Sequence, residues 1–291
     1  MNEQTINLTE LILNTINELF SKTFSSIDNS IYSVLDEIIF IKPDIISNNT
    51  FKQILGNSSY DGILLICNSL VLGFIIYYAI NYLISHLIYS KIDSPKQFIF
   101  KCVIFISIMN SSLWICEEII NIINLITISL SDLCKNLFGI SLSFSSFIDN
   151  INKNIYLQNS DFNIFSFDGI VKSFTSFGLI SILFTYSLRH IMIQIFVLIS
   201  PFAFLSLISN QAESFFKSWI RNFISLLIIQ IFISIILLLS FSIDINQSIS
   251  KLLYIGVIFA LTKANTYTKE IFGGISLTVS NSLLNVKNNF L

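Results

Sequence analysis

Charge is scarce in this chain. Only 12% of its 291 residues are Asp, Glu, Lys or Arg, where a soluble globular domain carries about 25%. So thin a supply cannot clothe a water-facing body of this length. That excludes a cytosolic enzyme, a nucleic-acid-binding domain and a disordered tail. Neither sign dominates: 16 basic residues face 18 acidic ones, so the bulk cationic footprint of a nucleic-acid binder is missing. Three prolines and nine glycines supply too little turn chemistry for an all-β chain. Cys67, Cys102, Cys116 and Cys134 form no CxxC pair and read as buried thiols acting as small apolar groups. His86 and His190 lie far apart with no Cys, Asp or Glu at metal-ligand spacing, so no metal or cofactor is expected. No serine or cysteine sits in a nucleophile signature, and Gly273–Gly274 is an isolated pair rather than a phosphate loop. The expectation is therefore a protein without enzymatic activity.

What abounds is apolar: 53% of residues, with a mean hydropathy of +0.75. The chain reads as all-α, a polytopic transmembrane helical protein of five or six spans with an N-terminal amphipathic helix. Phe20, Phe24, Ile27, Ile31, Val34 and Ile38 recur at alternating steps of four and three, which is one stripe of a helix over ~7–41 that Pro43 ends. Such a stripe suits a membrane surface, a partner helix or the rest of the chain equally. Residues 1–61 form this extracytoplasmic segment.

Residues 62–130 hold the first pair of spans. Residues 62–90 contain no Asp, Glu, Lys or Arg and outreach the ~30 Å hydrocarbon layer at about 1.5 Å per residue. Lys91, Lys96 and Lys101 against Asp93 mark the following turn as cytoplasmic. A second span over ~99–118 continues as an amphipathic helix on the outer surface. Residues 131–168, rich in Ser and Asn, read as a large extracytoplasmic loop. Residues 169–265 are a transmembrane cluster: ~170–188 and ~190–209 turning near Arg189, then 222–243. On this count the turn at 210–221 falls outside, despite Lys217 and Arg221. Residues 252–263 are short for a span, and 266–291 read as an amphipathic tail.

Few residues stand out chemically. Glu117 and Glu118 inside an apolar stretch suit a proton relay or ion ligand, but their place at the end of an apolar run favours the outer interface. Arg189 suits a water-filled interior or a lipid phosphate, and its place between two runs favours a turn residue reaching the cytoplasmic interface. Pro201, inside an apolar helix, removes a backbone donor and predicts a kink or break. Phe215, Trp219 and Arg221 follow a short polar stretch, where an interfacial tryptophan is common.

The order of these features matters more than any one of them. A basic residue near a helix start (Arg189), Ser200-Pro201-Phe202-Ala203, a polar turn, Phe215 and Trp219, and then a long apolar helix from Asn222 resemble the TrbL-type polytopic subunit of type IV secretion and conjugative transfer systems. The resemblance covers ~169–243 closely and the remainder in layout only. The chain lacks the long soluble carboxy-terminal extension of some relatives. The resemblance implies a multi-pass subunit of the cytoplasmic membrane, acting as scaffold or channel. It implies partners: membrane lipid, further copies in a ring, other secretion subunits including ATPases, and transient contact with a DNA–protein substrate. Trp219 and Phe215 are candidates for a contact between subunits, in which case Trp219→Ala breaks the oligomer and leaves insertion intact. On the residues alone two other readings stand open. One is a small-molecule secondary transporter using a break at Ser200, Pro201 and Ser206. The other is a pore-forming or assembly membrane protein outside secretion.

Overall fold

The computed structural model describes residues 8–56, 62–88, 94–156, 163, 165–243 and 248–273. Among them every regular element is helical. In order these are α1 (Leu8–Ile39), a 3-10 turn (Pro43–Ile46), α2 (Asn49–Leu55), α3 (Gly62–Ile88), α4 (Pro95–Asn110), α5 (Ser112–Phe138), α6 (Phe144–Tyr156), α7 (Phe167–Leu205) with a 3-10 extension (Ser206–Ile208), α8 (Glu213–Phe241) and α9 (Ser248–Phe272). Among the described residues four segments are long and apolar enough to cross a membrane: Gly62–Leu87, Ser112–Phe138, Phe167–Ile208 and Glu213–Phe241. The protein is thus an all-helical one with the character of a membrane-embedded body.

The largest difference from the sequence reading lies in α7. Two spans turning near Arg189 were expected; one unbroken helix is found. At 42 residues including its extension it is about 63 Å long, roughly twice the hydrocarbon thickness. Bilayer thickness therefore misleads here, because nothing near Arg189 stops a helix: there is no Gly or Pro, and the side chain donates two hydrogen bonds inside the protein. Other boundaries move too. The expected span ~99–118 is split at Ser111, where α4 ends and α5 begins. The polar stretch 131–168 holds the end of α5, closed by the left-handed Gly139 (φ 68°), and all of α6. Thr266–Phe272, assigned to a tail, continue α9. The tail from residue 274, the N-terminal residues 1–7 and most of the lysine-bearing turn at 89–93 lie outside the described residues.

Contacts fix how the helices run. Arg189 on α7 reaches Leu226 on α8, and Phe196 meets Trp219, so these two helices are antiparallel. Asp168 pairs with Lys251 and Tyr186 with Leu261, so α9 runs with α7. Phe24 packs on Phe177, and Ile39 sits at Arg189, so α1 also runs with α7. α7 and α8 are the centre: 56% of each spanning window is buried, against 17% for α3 and α5. At one end, Lys101 donates to Asn210 at 3.2 Å and Tyr77 to Gln211 at 2.8 Å. The turn after α7 therefore lies beside the first turns of α4 and the middle of α3. The sequence reading placed 210–221 away from the 91–101 turn; the structure sets Asn210 against Lys101. This region carries Lys96, Lys101, Lys217 and Arg221.

Candidate functional site

Arg189 is not at an interface. It is fully buried in the middle of α7. Its Nε donates to the Leu226 carbonyl at 2.7 Å and its Nη1 to the Ile39 carbonyl at 3.0 Å. Ile39 is the last residue of α1, and the final carbonyls of a helix lack intrahelical partners and carry partial negative charge. The guanidinium thus meets a helix C-terminus inside the protein. Nη2 has no hydrogen-bond partner among the described residues.

Gln230, on α8 and equally buried, completes the grip. Its Oε1 accepts from the Ile41 N–H at 3.0 Å, and its Nε2 donates to Thr127 Oγ1 on α5 at 3.1 Å. A chain leaving a helix in a dry interior exposes backbone groups that must be paired. Arg189 takes the carbonyl before the exit and Gln230 the N–H after it. Gln230 went unremarked in the sequence; its one signal was an amide within a charge-free apolar stretch. Asp36 lies on the last turn of α1. Its carboxylate accepts from the N–H groups of Phe144 (2.6 Å) and Ser145 (3.4 Å) and from Ser145 Oγ (3.0 Å). A carboxylate there pairs orphan donors of α6 and complements its dipole.

The proline motif forms the second half of the site. Pro201 has no N–H, so the carbonyl of Val197, four residues earlier, loses its helical partner. Ser200 Oγ donates to that carbonyl at 2.7 Å. Trp219 Nε1 donates to the neighbouring carbonyl of Phe196 at 2.9 Å. α7 continues across Pro201 to Leu205, so the chain does not break there. The indole is buried among Phe204, Phe216 and Phe223, with ring centroids 5.4, 5.8 and 5.4 Å away. Trp219 is 3% exposed and is committed inside its own chain, which removes it from the expected contact between subunits. Phe215 is 47% exposed and stands outside the aromatic cluster; its neighbour Phe216 fills that place.

The remaining expected residues are scattered. Arg221 is exposed on α8 with its side chain beside Gly273. Glu117 is half-buried and Glu118 exposed. They follow Cys116, which faces Ser200, so they sit at the height of Pro201 on an unbroken α5. No lysine or arginine pairs with them in a salt bridge among the described residues. The four cysteines are buried and free. Among the described residues no group of three or more His, Cys, Asp or Glu is placed to hold a metal ion. The arrangement is therefore one of positioning: two buried polar side chains hold a helix end, and a serine and a tryptophan hold a proline. No protein-family model, curated protein or solved structure matches this chain.

Proposed function

We propose that the chain is a multi-pass scaffold or channel subunit of a type IV secretion or conjugative transfer machine in the cytoplasmic membrane, of the TrbL type. One observation carries this reading. Ser200, Pro201 and Trp219, three of the residues on which the resemblance rests, meet in one buried cluster, with Arg189 farther along the same helix. Their order in the sequence thus has a physical cause, since each completes a hydrogen bond or packing contact that the others leave open. Exposed Leu, Ile and Phe side chains on α3, α4, α7 and α9 suit lipid and further subunits. The end bearing Lys96, Lys101, Lys217 and Arg221 is the cytoplasmic one, by the bias of Lys and Arg toward that side. In this role the chain contacts copies of itself and a secretion ATPase, and touches the transported DNA–protein substrate in passing.

Two measurements test this. A ring-shaped oligomer that co-purifies with a secretion ATPase is expected; a lone chain that instead accumulates a labelled solute in liposomes marks a secondary transporter. For sidedness, single cysteines at Ser94, Lys217 and Asp149 are labelled in intact cells with a membrane-impermeant thiol reagent. Because the native cysteines are buried, their background is low. Only Asp149→Cys should react. Reaction at Ser94→Cys and Lys217→Cys but not at Asp149→Cys would reverse the orientation, and reaction at Lys217→Cys together with Asp149→Cys would place the turn after α7 on the outer side.

A further inference from the structure

Where α1 ends beside α7, helix packing leaves a cavity of about 750 Å³, within the range of small-molecule sites. Its lining is unusual for this chain. Charged residues are 12% overall, yet Asp36, Glu37, Lys42 and Asp44 all face this one space, together with His190 and Gln194. Apolar walls come from Phe40, Ile41 and Leu142, of which Ile41 and Leu142 are buried.

Not every charge is available. Asp36 is engaged by the start of α6, as three donors show. Glu37, Lys42 and Asp44 are different. They are exposed at the rim, and none has a side-chain hydrogen bond or ion pair among the described residues. Two carboxylates, of which Glu37 also interacts electrostatically with His190, against one ammonium leave the mouth acidic, beside an inner lining part apolar and part imidazole and amide. A carboxylate pair binds a protonated amine through charge-assisted hydrogen bonds, and apolar walls hold a hydrocarbon body.

We propose that this cavity binds a small organic amine, its ammonium held by Glu37 and Asp44 and its apolar part lying against Phe40 and Ile41. His190 and Gln194 bound the inner end, one residue from the Arg189 grip on α1. The site stands on the cavity and its lining alone, independently of any secretion assembly.

The test uses the full chain in nanodiscs, titrated calorimetrically with phenethylamine and with phenylpropionate. These share an aromatic body and differ in the sign of charge. Titration of empty nanodiscs removes partitioning into lipid. Saturable binding of the amine alone is expected. Glu37→Gln with Asp44→Asn should weaken it about tenfold or more, the scale of one lost charge-assisted contact, and Lys42→Gln should tighten it. Absence of saturable heat with the amine, equal binding of the carboxylate, or undiminished affinity in the double variant would each overturn the assignment. A fall in the ligand-free melting temperature of the double variant would do the same, by showing that the two carboxylates serve the fold.

Discussion

Trp219 combines two jobs that substitution separates. Trp219→Phe keeps a ring among Phe204, Phe216 and Phe223 but loses the donor to the Phe196 carbonyl, about 1 kcal/mol for an interhelical hydrogen bond in a membrane protein. Trp219→Ala also empties the space, about 3–5 kcal/mol. Detergent-titrated unfolding of the two variants should rank them in that order, with the alanine form losing protomer stability rather than dissociating an otherwise intact oligomer. Arg189 offers a second test at this scale. Arg189→Met fills the volume but leaves the Ile39 carbonyl at the end of α1 unpaired, about 1–3 kcal/mol, while the Leu226 carbonyl keeps its partner within α8. Hydrogen exchange of the last turn of α1 should then rise markedly while α9 stays protected. Equal exchange in both proteins would mean that α1 is held by its apolar contacts alone.

Among the elements, α6 and α9 are the informative ones. Asp36→Ala removes the acceptor at the start of α6 and should cost about 0.5–2 kcal/mol, read as loss of amide protection confined to residues 144–156. α7 and α9 meet at Gly178, where a side-chain carbon would collide with Ile258. Gly178→Leu should therefore separate these helices and lower the melting temperature by several degrees; an unshifted melt would show that the contact yields freely. Elements were legible to the degree that one period governed them. α3 and the core of α8 stood out as runs without charge. α6 did not, although Phe144, Phe147, Ile148 and Ile151 are all buried at helical spacing, because serines and asparagines around them read as a loop. The length of α7 was hidden for a different reason. Arg189 interrupts an apolar run, and only tertiary partners far away in sequence, Ile39 and Leu226, make it an interior residue. Pro201 was seen correctly as a lost donor, but not as one replaced by Ser200 beside it.

For the whole molecule, the ends differ in character. One carries lysines and Arg221 around the turn after α7, while the Asp168–Lys251 pair lies at the other end. Between them α7 is one piece, about 63 Å from end to end, with α1 and α9 laid along it and α8 returning against it. Its proline, the usual place for a long helix to flex, is pinned by a hydroxyl on one side and an indole on the other. Such a member behaves as a strut instead of a hinge. A pull applied near Asp168 would therefore reach the aromatic cluster around Trp219 as rigid displacement of the whole helix, with no bend at the proline to absorb it.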